Sequence, residues 1–421
     1  MCRTGFNPCL TTGESYGRER LRPRGFLGTI WSTSWSKVNW CELDVDCTDT
    51  PTTIRIAGRI AAEPVDAPEA LPPHDHATMD GYAFAADDDY PLNVVDEVYP
   101  EDGPPTVGRG EAVRITTGAP LPESADAVLK QEKATVERGR LRGPATEAGT
   151  YIYERGTNVA AGERLVERGE RLAPKDALLL GDLGLETVSV VEPLSVGLLA
   201  TGTEIHEDRN RDLDSPMLAG LVRAWGHEAT YEGTVPDQAD RVAAHIERLA
   251  AAHDVVVTTG GTSVGPKDHV LEALKSLGEV LFHRVRIRPG KPIAVARLAD
   301  HNAVAIAIPG KPVGAHAIAT LVSRPFFTGE SGLPVLESTA ARGVTVGVKG
   351  FEYAVPVTLE RGKATPLGHA DSPLSVYEDT FDPSVLSSST RATRADGFVL
   401  TATGFEAGEA VSVVPYPVVE R

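Results

Sequence analysis

The sequence predicts a multidomain fold of the α/β plus β class, and three observations carry that expectation. From Leu194 to about residue 330, strand and helix patterns alternate, the signature of a largely parallel three-layer domain with helices on both sheet faces. Short β-like runs broken by glycine and proline fill residues 90–153 and again the stretch from 334 to the end. The chain has 421 residues, 41% of them hydrophobic, which is enough for roughly three domains with buried cores.

Residues 1–50 stand apart. They hold all four cysteines, Cys2, Cys9, Cys41 and Cys47, and three of the four tryptophans, Trp31, Trp35 and Trp40. Lacking clear periodicity, they read as an atypical N-terminal extension, either disordered or a misplaced start. Their spacing lacks the CxxC pairs of structural zinc, which argues against a metal there. Residues 51–72 carry Ile54, Ile56, Ile60 and Ala61 ahead of a proline-rich crossing. With 155–193, where a helix over Pro174–Leu183 and a strand over Thr187–Val191 are expected, they form a discontinuous N-terminal domain. The inserted segment 73–154, with β runs at Ala112–Thr116 and Ala127–Leu129 and no long helix, is a small β domain.

Residues 194–330 make the α/β domain. Ser195–Leu199 is its first strand. Ser215 and Pro216 read as the N-cap and first residue of a helix with Leu218, Leu221, Val222 and Trp225 on one face and Gly226 at its stop. A second helix begins at Asp237 and carries Val242, Ile246 and Leu249. Strands over Val255–Val257, Pro292–Ala296 and Ala303–Ile308 follow, and a helix over Ala315–Val322 closes the domain. Residues 334–421 return to short strands, including Phe398–Thr401 and Ala410–Val414, and form a C-terminal β domain.

Composition narrows the function. A net charge of −18 argues against a nucleic-acid partner, because a phosphate backbone demands a basic surface. No apolar run approaches the ~20 residues that span a bilayer, and the first 30 residues lack the apolar stretch of a signal peptide, so the expected compartment is the cytoplasm. The 31 arginines against 10 lysines give an acidic, lysine-poor surface, which a high-salt cytoplasm favours and an ordinary solvated surface also explains.

Ligands of such α/β domains sit at the carboxyl ends of the strands. Three glycine-bearing segments fall there: Thr201-Gly202-Thr203-Glu204, Thr258-Thr259-Gly260-Gly261-Thr262-Ser263-Val264-Gly265, and Pro309-Gly310-Lys311-Pro312. The second lies between a strand and a helix, where glycine lets backbone N–H groups approach an anion and the helix dipole favours negative charge; a connecting turn is the plain alternative. In Arg284-Val285-Arg286-Ile287-Arg288, arginines alternate with apolar residues. On an extended strand they share one face, either as a cationic wall or as a solvated edge.

Four ordered motifs resemble the molybdopterin molybdenumtransferase family, the MoeA type shared with the gephyrin E domain, over roughly 53–421. They are Met79-Asp80-Gly81-Tyr82-Ala83; Thr116-Thr117-Gly118-Ala119-Pro120-Leu121-Pro122 with Ala125-Asp126-Ala127-Val128; Gly260 to Gly265 with Asp268; and Arg288-Pro289-Gly290-Lys291-Pro292. The resemblance implies an enzyme of molybdenum cofactor biosynthesis that takes adenylylated molybdopterin and molybdate as substrates, inserts the metal and releases AMP with the help of Mg2+. It implies an elongated homodimer and other cofactor-biosynthesis proteins as partners.

By motif position, the resemblance assigns catalytic roles to Asp80, Thr117, Glu204, Asp237, Asp268, Arg284 and Arg288. Cofactor-binding roles fall to Gly260, Gly261, Ser263, Gly265, Lys291, Pro309, Gly310 and Ser384, and the metal to Asp237 and Asp268. Plain alternatives stand beside them: Asp237 and Asp268 as helix N-caps, Glu204 as a solvated strand end, Asp80 in an Asp-Gly turn and Thr117 as a turn hydroxyl. His74 and His76 flank Asp75, but no third metal ligand is evident at usable spacing.

The chain departs from the family text in places. Lys311 stands where asparagine is usual, Arg284 and Arg288 replace lysines, and Ala77-Thr78 replaces a serine-alanine pair. No arginine occupies the expected place near Tyr353, and the serine that helps receive molybdate is Ser384 or one of Ser387 to Ser389. A non-catalytic molybdopterin-binding scaffold, a tungstate-handling paralogue and a molybdopterin adenylyltransferase are the alternative functions.

Overall fold

The computed structural model describes residues 47–51, 56–262, 269–330, 332–370 and 372–421, the first of these as backbone. The chain divides into two compact units. One comprises 49–57 with 63–189, and the other 58–62 with 190–421. The expectations for residues 1–46, and those for Ser263, Gly265 and Asp268, lie outside the described residues.

The smaller unit is built around a six-stranded sheet of β1 (Gly81–Phe84), β2 (Leu92–Val98), β3 (Glu111–Ile115), β4 (Ala127–Lys130), β5 (Thr135–Glu137) and β6 (Arg140–Arg142), in the order β4-β1-β3-β2-β6-β5. Val113, Ile115 and Val128 face one buried cluster with Ala83; Ala112 and Leu129 face a second with Phe84 and Leu92. That two-sided burial follows from the period-2 alternation of strand side chains. The helix expected over Pro174–Leu183 is α1 (Asp176–Asp182).

The larger unit opens with β7 (Ser195–Thr201), α2 (Thr203–His206), α3 (Asp214–Ala224), β8 (Glu228–Val235), α4 (Ala239–Ala250), β9 (Val255–Thr259), α5 (His269–Leu277) and β10 (Glu279–His283). It continues through β11 (Ile287–Arg288), β12 (Ala294–Leu298), β13 (Ala303–Ile308), α6 (Pro312–Ile318) and, after a π-helical turn over Ala319–Ser323, α7 (Arg324–Thr328). The sheet order is β8-β7-β9-β13-β12-β10, parallel from β8 to β13 and antiparallel through β12 and β10.

Both sheet faces are buried, and along β13 their side chains differ in size. Val255, Val257, Val304, Ile306 and Ile308 pack toward α3 and α6, whereas Ala303, Ala305 and Ala307 pack with α4 and α5. Small residues on the second face let those helices lie close to the backbone. Along α4, Val242, Ile246 and Leu249 recur at helical spacing and are at most 1% exposed, as their pattern predicts.

Several expected boundaries move. The helix read from Ser215 begins at Asp214, with Asp212 Oδ1 accepting from the Asp214 and Ser215 N–H groups at 3.2 and 3.0 Å, so Asp212 satisfies the orphan donors assigned to a Ser215 cap. The helix read from Asp237 begins at Ala239. The strand read over Pro292–Ala296 lies at Ala294–Leu298, and the helix read over Ala315–Val322 starts earlier, with proline in its first turn.

The C-terminal strands β14 (Leu336–Ala340), β15 (Glu352–Glu360), β16 (Lys363–Pro366), β17 (Gly397–Thr401) and β18 (Ala410–Pro415) close into a ring through pairing of β15 with β17. Closure removes open edges. The segment is completed by α8 (Pro383–Leu386) and α9 (Tyr416–Val419). The arginine segment joins this ring: β11 pairs in parallel with β15, Arg288 opposite Tyr353. No helix among the described residues is long and apolar enough to cross a membrane.

Candidate active site

Three strand ends converge in the larger unit because β7, β9 and β13 are parallel neighbours, so their glycine-bearing exits leave the same edge of the sheet. Thr201 Oγ1 donates to Thr259 O at 2.9 Å, and Gly260 N donates to Ile308 O at 3.0 Å. A Cβ on Gly260, which has φ +81°, would lie 2.8 Å from Thr201 O, and one on Gly310 would lie 3.1 Å from Gly260 Cα. The glycines are therefore required by backbone approach. The cradle differs from the expected one in one respect: the Gly260 N–H is spent on β13, so it is not a donor for an anion.

Glu204 and Asp237 flank this edge. Asp237 Oδ2 accepts from Thr203 N at 3.1 Å, and Thr203 Oγ1 accepts from Asp237 N at 3.0 Å. This reciprocal pair ties the end of β8 to the start of α2, the helix whose first turn holds Glu204. The Asp237 carboxylate thus caps α2, across the chain, rather than the helix that follows it in sequence. Gly202, at φ +141°, has the Glu204 carboxylate folded against it, with Oε1 3.1 Å from where a Cβ would sit.

The basic segment keeps its alternation in burial but not in backbone. Val285 and Ile287 are buried, Arg284 and Arg286 are exposed and Arg288 is half-buried. Arg284, however, has φ +67°, and only Ile287–Arg288 is strand, so the three arginines do not form one regular strand face. The chain folds back instead, with Arg284 N donating to Ile293 O at 2.7 Å and Val285 N to Lys291 O at 3.0 Å. That return brings both cations to one ring: Arg288 Cζ lies 4.3 Å and Lys291 Nζ 5.6 Å from the Phe351 centroid.

Ser384 sits in the first turn of α8, where its N–H and hydroxyl donate to Asp382, and these contacts hold the Asp382 carboxyl below the usual carboxylate range. Lys311 Nζ donates to Ser384 O at 3.3 Å, and Val313 N to Ser387 O at 3.1 Å. The Pro309–Pro312 exit of β13 is thereby joined to the serine-rich turn that spacing alone left ambiguous.

In the smaller unit, Asp80 precedes β1 and Thr117 follows β3, and the antiparallel pairing of Gly81 with Ile115 brings the two together. Asp80 Oδ1 accepts from Thr117 N at 2.7 Å and from Thr117 Oγ1 at 2.8 Å. The backbone donor first, then the hydroxyl, hold the Asp80 carboxyl below its ordinary range. Asp75 Oδ1 accepts from Arg155 N at 2.6 Å, a loop-fixing role, and no group of three or more His, Cys, Asp or Glu among the described residues is arranged to hold a metal.

One residue at the glycine cluster was not anticipated. Asp214, in the first turn of α3, is 6% exposed, and burial, followed by the nearby Asp212, pushes its carboxyl up to about 6. Its only sequence signal was an aspartate just inside a helix start, which ordinarily marks a helix-dipole contact.

Comparison with known proteins bears on the family and the fold. A family model for the MoeA N-terminal region, domains I and II, matches residues 36–184, and a model for a probable molybdopterin-binding domain matches residues 197–329. Molybdopterin molybdenumtransferase of Synechococcus elongatus is 32% identical over 288 residues, covering 63% of this chain and 72% of that protein. The enzyme of the same name from Haemophilus influenzae is 33% identical over 62% of this chain and 67% of its own length. A solved MoeA protein of molybdopterin biosynthesis from Pyrococcus horikosii superposes with a TM-score of 0.74 at 28% identity, covering 92% of this chain and 98% of that one. With both family models matched in order and the fold shared along nearly its whole length, the chain belongs to the molybdopterin molybdenumtransferase family, the MoeA-type proteins of molybdenum cofactor biosynthesis.

Proposed function

We propose that this chain inserts molybdate into adenylylated molybdopterin and releases AMP in a Mg2+-dependent step. The observation that carries the reading is the convergence of three glycine-bearing strand ends beside Glu204 and Asp237, in a member of this family. Glycine lets backbone N–H groups approach phosphate oxygens, and the Gly261 to Gly265 donors are assigned to the nucleotide. Arg284, Arg288 and Lys291 supply cations for molybdate and for charge at the adenylyl phosphorus as a water oxygen bonds to it, the bridging bond breaks, and AMP and the molybdopterin phosphate separate.

Glu204, Asp237 and Asp268 are the carboxylates of the reaction. Asp237 fits a magnesium role in its chemistry, since hard cations choose oxygen and Mg2+ commonly takes one or two carboxylates with substrate phosphates and water. When bound, the ion would offset negative charge on the phosphates. Asp80, held ionised by Thr117, is an acceptor for a substrate donor, and Ser384 is assigned to molybdate reception. The remaining parts of the reading are a four-domain layout, a homodimer and a cytoplasmic location.

Purified protein given adenylylated molybdopterin, molybdate and Mg2+ is expected to release AMP and yield cofactor that activates a molybdoenzyme. Glu204→Gln and Asp268→Ala are expected to bind the substrate and fail to release AMP. Binding by the unmodified protein with no AMP release would overturn the enzymatic reading.

A further inference from the structure

The proposed reaction leaves Asp214 unassigned. Among the described residues its Oδ1 has no hydrogen-bond partner, and its Oδ2 lies 3.9 Å from the position a Cβ would take on Gly310, the nearest side-chain atom to that point. A carboxylate buried without donors is unfavourable, so it is retained against stability. Helix capping does not account for it, because Asp212 already accepts from the first N–H groups of α3.

The surroundings narrow what would satisfy it. A phosphate would add like charge beside Asp212 and Asp214. A hard cation needs several oxygen ligands, and no such cluster exists among the described residues. An N–H donor remains, and a carboxylate with an unpartnered oxygen matches a planar edge that presents two adjacent N–H groups. Gly260 and Gly310 meet beside it without side chains, so neither residue screens the carboxylate.

We propose that Asp214 is a specificity-determining residue that reads the 2-amino-4-oxopyrimidine edge of a pterin, its carboxylate accepting from the ring N–H and the adjacent amino group. Adenine offers a donor beside an acceptor at its corresponding edge, and so cannot make this pair. The inference rests on the pterin-nucleotide reading above.

Equilibrium binding to the full-length protein tests it with three probes: a 6-phosphomethyl pterin, its 2-oxo counterpart, and AMP. The unmodified protein is expected to prefer the 2-amino ring by roughly ten- to hundredfold, the range of a charge-assisted pair. Asp214→Asn, nearly the same shape, should abolish that preference while leaving AMP binding unchanged, and Asp214→Ser carries the same expectation should the first variant fold poorly. A variant that keeps the preference overturns this inference alone, as does an unmodified protein that binds both rings equally. An unmodified protein that binds AMP but neither pteridine overturns the pterin reading itself, and this inference with it. Loss of all three ligands together in a variant assigns Asp214 a structural role and overturns the proposal.

Discussion

Asp214 and Asp80 are both carboxylates, and their surroundings drive them in opposite directions. Burial, then Asp212, raises Asp214 to about 6, whereas two donors from Thr117 lower Asp80. For Asp214 the folded value lies above the unfolded one, so ionisation costs stability: the penalty is absent below about pH 4, grows between pH 4 and 6, and is complete above. A shift of this size corresponds to about 3 kcal/mol. Asp214→Asn is accordingly expected to be more stable than the unmodified protein at pH 7 by up to about 3 kcal/mol, with the gap closing by pH 4. Urea titrations at the two pH values check this, and equal gaps at both would contradict it. Asp80 has the reverse sign, its contribution being present above the ordinary carboxylate range and lost as pH falls through its lowered value. Removing the hydroxyl in Thr117→Ala leaves the N–H donor, so the Asp80 carboxyl should titrate higher than in the unmodified protein yet still below an unpaired aspartate, as side-chain carbon NMR would register.

At the scale of elements, the turn after β9 shows how backbone proximity sets residue choice. Gly260 combines φ +81° with Thr201 O only 2.8 Å from the Cβ position, so Gly260→Ala meets both a left-handed backbone and a clash. The expected loss is about 1–3 kcal/mol, together with weaker nucleotide binding; thermal melts and AMP titration read the two separately, and an unchanged melt would mean that the β7–β9–β13 junction yields easily. Such exits were legible in sequence because glycine next to an apolar run is a strong mark. The central strands β7, β9 and β13 were legible for a related reason, being buried on both faces and so written as continuous apolar runs. The edge strands β8 and β10 carry no such mark, since Glu228–Val235 and Glu279–His283 mix polar and apolar residues as half-solvated strands do. The arginine segment read correctly in its alternation of burial and wrongly in its conformation. Its backbone is settled by pairing with β15, some sixty residues away, and no local pattern records that partner. Motif position marks Asp80 and Thr117, but their contact depends on the β1–β3 pairing. Asp214 was invisible because its meaning comes from what lacks contact with it.

For the larger unit as a whole, the buried cluster that begins under the α/β sheet continues into the C-terminal ring without a break, from Val196 and Leu198 through Trp225 and Phe327 to Val355, Phe398 and Val413. Trp225 is central to that continuity. Its ring stacks on Phe327 at 5.5 Å, and its Nε1 donates to Val419 O of α9 at 3.1 Å. Nearby, His316 of α6 pairs with Glu420 at 2.7 Å beneath the rings of Tyr416 and Phe398, and the His316 hydrogen bond holds the Glu420 carboxyl below its ordinary range. Elements that share one close-packed core lose it together, because opening either face exposes the apolar surface of the other. The strands of the α/β sheet and those of the ring should therefore unfold as one cooperative body even though they form separate sheets. Native-state hydrogen exchange is the measurement: the amides of β9 and of β15 are expected to open with the same free energy. Trp225→Ala should lower both by about 3–5 kcal/mol, while Trp225→Phe, which retains the stacking and loses the bond to Val419, should lower both by about 1 kcal/mol. If Trp225→Ala weakened protection in β15 and left β9 untouched, the ring would be an independently stable domain, and the Lys311–Ser384 contact would join two separately folding parts instead of lying within one.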